Sequence, residues 1–241
     1  GGPRGRTMSY AAHQRARRLW TAQRLLIVVA CVPALVQLGL LAYAIIGRFG
    51  YPYDLEWMEG GMLVHAQRIA DGTGIYGPPS VEFIPYLYTP LYPGLIAVLG
   101  KVGQIDYQLG RSISIAALIG IAIVATRAIR GPSVRNPASF AGERMLATAG
   151  AVLALGVFAA AYPFVEGWYD LVRADSLLLL IVTLGVYLIM RTSRDNLTSL
   201  GLVAFALSAA LLAIGFFVKQ TAIFYVATGG LITVILRVRR A

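Results

Sequence analysis

The sequence predicts an all-α polytopic membrane protein, and three observations carry that reading. Hydrophobic residues make up 58% of the 241 positions and charged residues only 13%, whereas a soluble domain carries about 25% charged residues. Several apolar runs reach the length of roughly 17–25 residues that a helix needs to cross a bilayer, and mean hydropathy is +0.70. Lys and Arg concentrate in alternate segments between those runs, as expected of cytoplasmic loops.

Six spans follow in order, at about 25–46, 109–129, 145–162, 175–190, 197–217 and 221–236. The first is too long for a signal-peptide core and lacks a small-x-small cleavage site, so it reads as a retained span. With the N-terminus cytoplasmic, the inner segments are 1–24, about 127–144, 191–196 and 237–241, and they hold 15 of the 21 Lys and Arg residues. Nine of the 11 acids fall on the other side. The formal net charge of +10 is then mostly a positive-inside signal, with attraction to anionic inner-leaflet lipid added. A nucleic-acid footprint would need a basic face on a folded domain, and the tail 1–24 is too short to form one. The chain stops directly after the last span. It is expected to be the N-terminal part of a longer protein, with a cytoplasmic tail 1–24, a transmembrane module 25–236 and a cytoplasmic end 237–241.

One extracytoplasmic segment, residues 47–108, is large. It holds ten aromatics and six of the 11 prolines, and Pro78, Pro79, Pro85, Pro90 and Pro93 forbid a long continuous helix there. Loops longer than about 15 residues are usually functional or disordered, and this aromatic content argues for order. Residues 55–70 have helical spacing, with Leu55, Met58, Met62, Ala66 and Ile69 on one face. That predicts an interfacial helix lying on the outer leaflet, ended by 71-DGTG-74. A second apolar segment, Leu91–Leu99, is too short to span.

The stretch 51-YPYDLEWMEGG-61 puts Asp54, Glu56 and Glu59 within six residues, beside the first span. Carboxylates this close repel one another and lose solvation at a membrane boundary, so their clustering asks for a reason. Plainer readings stand beside the functional one. Asp54 would cap the interfacial helix, Glu59 would be an exposed helix charge, and the aromatics would form an interfacial belt. At the same surface lie Arg173 and Asp175 at the start of the fourth span, and Lys219 in the turn before the sixth. Their plain readings are an anchoring ion pair and a snorkelling lysine. His65 reads as packed or interfacial. With two histidines and one cysteine, Cys31, a His/Cys zinc site is excluded, and no internal disulfide forms.

The ordered set 53-YDLEWMEGG-61, 75-IYGPPS-80, 88-YTPLYPGLIAVLGK-101 with 110-GRSISIAAL-118, 172-VRADSLLLLIVTLGVYL-188 and 217-FVKQTAIF-224 resembles the GT-C superfamily. These are polytopic glycosyltransferases such as protein O-mannosyltransferases and the lipid A aminoarabinose transferase. The resemblance implies a cell-envelope enzyme that moves a sugar, with inversion, from a polyprenyl-phosphate donor to a hydroxyl acceptor on protein, lipid or glycan. It implies Asp54 as general base and Glu56 as its partner, orienting the acceptor or sharing a divalent cation. Leu55 separates two acids that are adjacent in many family members, which leaves open which of them is the base. Arg173 and Lys219 would hold the lipid phosphate, Asp175 would orient Arg173, and Glu59, Trp57, Tyr86 and Tyr88 would contact substrate. Two other classes compete. A carrier or flippase would place charges or broken helices near the midplane, usually in repeated halves, and the mid-span regions carry no charge. A non-catalytic scaffold would tolerate any change at Asp54.

Overall fold

The computed structural model describes residues 10–131, 141–192 and 199–238. The described chain is all-α. Eight helices follow in order: α1 (Tyr10–Phe49), α2 (Met58–Ala70), α3 (Leu91–Gly100), α4 (Tyr107–Arg130), α5 (Ala141–Ala160), α6 (Ala174–Thr192), α7 (Ser199–Val218) and α8 (Ala222–Val238). Two short 3-10 turns, Tyr162–Val165 and Trp168–Asp170, join α5 to α6.

Among the described residues, four helical stretches are long and apolar enough to cross a membrane: Thr21–Phe49, Tyr107–Arg130, Glu143–Ala160 and Ala174–Arg191. The apolar parts of α7 and α8, Leu202–Val218 and Ala222–Ile235, are shorter. Packing runs through neighbours in the order α1, α5, α4, α6, α7, α8. Small residues set how closely the helices approach, as is usual where no water drives association. A Cβ on Gly156 would stand 2.3 Å from the Cβ of Ala34, which brings α5 against α1. Ser208 of α7 donates its hydroxyl to the Gly185 carbonyl of α6 at 2.7 Å. Leu25, Leu26, Val29, Leu35 and Val36 of α1 point outward, and apolar side chains facing away from the bundle suit a lipid surround.

Contacts across the bundle gather one set of helix ends. The C-terminus of α1 meets the N-terminus of α4 and the α5–α6 turns. The start of α6 meets the α7–α8 turn. On this end lie α2 and α3, packed on each other and on α4. Met62, Ala66, Tyr92, Ile96, Val172, Ala174 and Val218 form their common core.

A helix is present where the spacing predicts one over 55–70, but it starts at Met58 rather than Leu55. Leu55 belongs to the preceding turn because its N–H is taken by the Glu59 side chain. The inward face adds Glu59 and His65 to Met58, Met62 and Ala66. Glu59 is therefore not an exposed helix charge: Arg111 meets it inside the protein and makes its burial tolerable. The segment Leu91–Leu99 is helical, with Tyr92 and Pro93 buried in its first turn, where proline is accepted.

Candidate functional site

The acidic stretch is shaped by backbone hydrogen bonds at the start of α2. Trp57 stands at the N-cap position without a side-chain cap. The exposed N–H groups of the first turn turn instead to the two acids before it. Asp54 Oδ1 accepts from Gly60 N at 2.7 Å, and Glu56 Oε2 accepts from Met58 N at 3.2 Å. Both charges sit at the positive end of the helix dipole. Gly60 is needed for this approach, since a Cβ there would lie 2.9 Å from Asp54 Oδ1. Asp54 Oδ1 also accepts from Tyr107 Oη of α4 at 3.0 Å.

Glu56 does not stand alone. Its Oε2 takes Arg173 Nη1 at 2.9 Å across 117 positions of sequence. Arg173 Nε donates to Asp175 Oδ2 at 3.1 Å, and Asp175 Oδ1 accepts from Lys219 Nζ at 2.6 Å. The result is an alternating chain, Glu56–Arg173–Asp175–Lys219, built from the α1–α2 segment, the start of α6 and the α7–α8 turn. The Arg173 guanidinium lies 3.9 Å from the Trp168 ring centroid, and Lys219 Nζ lies 5.4 Å from that of Tyr88. Burial works against the Arg173 charge, yet Asp175 and Glu56 outweigh it and hold the guanidinium above its ordinary range. Arg173 remains a cation at every accessible pH.

The arrangement leaves polar capacity open. Among the described residues, Asp54 Oδ2, Glu56 Oε1 and Arg173 Nη2 have no hydrogen-bond partner within the protein. Asp54 is exposed, Glu56 and Lys219 are half-buried. Carboxylate acceptors and cationic donors thus open onto one surface, and the cations suit an anion such as phosphate.

Aromatics wall this surface. Tyr86 packs edge-to-face with Trp57, ring centroids 5.8 Å apart, and with Tyr88 at 6.3 Å. Burial pushes the Tyr86 phenol up, and the Glu56 and Asp54 charges push it further, so it stays a neutral donor. Gly61 makes room for Tyr86: a Cβ at Gly61 would lie 1.9 Å from the Tyr86 hydroxyl. Tyr76 holds the far side by donating to the Tyr88 carbonyl at 2.9 Å, and Gln220 Nε2 ties the Leu87 carbonyl to the α7–α8 turn. Trp57 is 71% exposed, so a large flat ring stands free beside the acids.

Of the residues singled out in the sequence, Glu56, Arg173, Asp175, Lys219, Tyr88 and Tyr86 are brought together, with Asp54 and Trp57 at the rim. Glu59 is placed differently from the substrate-contacting role expected of it. Both its oxygens face inward, to Arg111 at 3.0 and 2.8 Å, to Leu55 N at 2.8 Å and to Val172 N at 2.9 Å, which leaves no room for a ligand.

Two contributors escaped the sequence reading. Arg111, near the start of α4, is the largest fully buried side chain among the described residues. A lone arginine beside an apolar run was the available signal. Arg48, at the end of α1, binds the Tyr162 hydroxyl, the Gly167 carbonyl at 3.3 Å and buried Asp170 at 3.7 Å, fixing the α5–α6 turns. Among the described residues, no group of three or more His, Cys, Asp or Glu side chains is placed to hold a metal ion.

No protein-family model, curated protein or solved structure matches this chain.

Proposed function

We propose that this chain is the membrane module of a glycosyltransferase of the GT-C kind. It would move a sugar from a polyprenyl-phosphate donor to a hydroxyl acceptor at the extracytoplasmic face. In this reading α7 and α8 are the fifth and sixth spans, both ends of the module are cytoplasmic, and α2 and α3 lie on the outer leaflet. One observation carries the reading: three segments far apart in sequence, each expected to bear site residues, meet in the single chain Glu56–Arg173–Asp175–Lys219.

The chemistry follows from the groups. The acceptor oxygen attacks the anomeric carbon and forms the new C–O bond. The bond from that carbon to the phosphate oxygen breaks, and its electrons leave with the phosphate. The acceptor proton passes to Asp54 Oδ2, which faces solvent and has no protein partner. Glu56 orients the acceptor through Oε1. Arg173 Nη2 and Lys219 Nζ meet the departing phosphate with charge-assisted hydrogen bonds. Trp57 offers a free ring face for the sugar.

The test is sugar transfer from a radiolabelled polyprenyl-phosphate donor pool in membranes holding the full-length protein. Asp54→Asn is expected to abolish transfer at normal expression, and Glu56→Gln to lower it. If only Glu56→Gln is inactive, the two acids exchange roles. If neither variant differs from a transferring parent, or the parent transfers from no donor, the reading is wrong.

A further inference from the structure

We infer that the buried Arg111–Glu59 pair is a positioning clamp that fixes the acids and the cations of the site relative to each other. The inference rests on the reading of that site as catalytic, and its geometry can be tested without it.

The clamp begins with what Arg111 binds. Its Nε and Nη2 form a two-pronged bond to the Glu59 carboxylate, at 3.0 and 2.8 Å. The remaining donors reach the backbone that leaves α1. Nη1 donates to the carbonyls of Tyr51 at 2.5 Å, Arg48 at 3.2 Å and Phe49 at 3.4 Å. Nη2 donates to the carbonyl of Tyr53 at 2.9 Å. These carbonyls belong to the last turn of α1 and to the irregular stretch just before Asp54. That stretch has no helix or sheet to hold it, so a planar five-donor fork supplies what regular structure would supply elsewhere.

Glu59 completes the device. Its Oε2 accepts from Leu55 N, the residue between Asp54 and Glu56. Its Oε1 accepts from Val172 N, the residue before Arg173. One carboxylate thus touches the backbone of both halves of the site, 117 positions apart. Arg111 neutralises it, so the link survives full burial. Both side chains are wholly enclosed, and neither reaches the surface where a ligand would lie. They act through Asp54, Glu56 and Arg173.

The side-chain types are specific to this task. Lysine at 111 keeps the charge but has one nitrogen, which cannot serve four carbonyls and a carboxylate together. Glutamine at 59 keeps the shape but loses the charge and one acceptor. The double variant Glu59→Gln with Arg111→Gln removes both charges and avoids an unpaired buried ion.

The experiment uses the full chain in lipid nanodiscs and has two readouts. Backbone hydrogen–deuterium exchange is followed in peptides covering 50–57 and 170–173, with the interiors of α4 and α6 as internal reference. In Arg111→Lys and in the double variant, exchange in both peptides is expected to accelerate about tenfold or more while the helix interiors are unchanged. Unchanged local exchange would overturn the clamp. So would equal acceleration through α4 and α6, which would make the pair a general support of the bundle. In a chain that transfers sugar, Arg111→Lys is expected to lower kcat about tenfold or more with donor KM within about twofold; a retained kcat overturns the positioning role. If the parent transfers no sugar, the proposed function falls and the exchange result alone decides the clamp.

Discussion

Lys219 Nζ and Asp175 Oδ1 are 2.6 Å apart, and this contact joins the turn between the last two helices to the start of α6. Asp175 also holds Arg173 through its other oxygen. One carboxylate therefore gathers two cations into a pair that can accept an anion, and it keeps them from repelling each other while the site is empty.

Removing Lys219 should separate its two effects. The side chain is half-buried and its partner Asp175 is in contact with water, so Lys219→Ala is expected to cost less than about 1 kcal/mol of stability. Donor phosphate binding should suffer more, with donor KM rising about tenfold, or about 1.4 kcal/mol. Lys219→Arg should keep most of the affinity. Thermal melting and donor titration of the two variants check this. Equal donor KM in Lys219→Ala and the parent would show that the lysine only anchors the turn.

Arg173 should behave differently because it is buried. Arg173→Ala strips Glu56 of its cation, leaves Asp175 with Lys219 alone, and uncovers the Trp168 ring. Fully enclosed pairs broken this way lose about 3–5 kcal/mol, and these acids keep some water contact, so about 2–3 kcal/mol is expected. Arg173→Lys keeps one charge but cannot bridge two carboxylates in the plane of the ring. It should recover part of the stability and little of the transfer. Denaturant melts in detergent and transfer assays on the same preparations test both statements.

Sequence patterns exposed what depends on local composition and hid what depends on distant partners. The apolar runs mark the helices because span length is set by the bilayer. Asp54, Glu56, Arg173, Asp175 and Lys219 stood out because charges are costly beside such runs. Glu59 read as a surface charge because its partner lies 52 positions later, in a helix start whose sequence, Gly-Arg-Ser, signals nothing about direction. Gly60 and Gly61 fell within the helix expected over 55–70, where nothing in the sequence showed why glycine is needed. Their purpose is room: one admits Asp54 to the helix end, the other admits the Tyr86 ring. Steric need of that kind becomes visible only when the second segment is in place.

The Gly61–Tyr86 contact yields a coupled prediction. Gly61→Ala would force the Tyr86 ring off its seat, at a cost of about 1–3 kcal/mol, as for other overpacked contacts. Trp57 would lose its edge-to-face neighbour, so its fluorescence should change. Tyr86→Ala removes the obstacle and also the packing. The double variant should then be less destabilised than the sum of the singles, by about 1–2 kcal/mol. Additive losses would show that Gly61 and Tyr86 are independent.

His65 sets a pH dependence for the segment above the bundle. Its Nε2 lies 3.1 Å from the Ile84 carbonyl, and Nδ1 is buried without a hydrogen-bond partner. The ring packs against Tyr86 and Phe83. Burial pulls its pKa below the ordinary 6.5, the Ile84 carbonyl opposes that, and nearby Arg68 adds to the lowering. The folded protein therefore holds His65 neutral where the unfolded chain would protonate it. Stability from this residue is complete above pH 6.5 and is lost as pH falls below that value. Melting temperature is expected to drop on acidification from pH 7.5 to pH 5.5, about one unit either side of the free histidine value, with peptides 62–67 and 83–88 opening first in hydrogen exchange. His65→Gln keeps an amide donor for the Ile84 carbonyl and removes the titrating group. It should flatten the pH dependence while lowering stability at neutral pH, because it gives up the ring contacts. A melting temperature equally sensitive to pH in His65→Gln and the parent would assign the acid response to other groups.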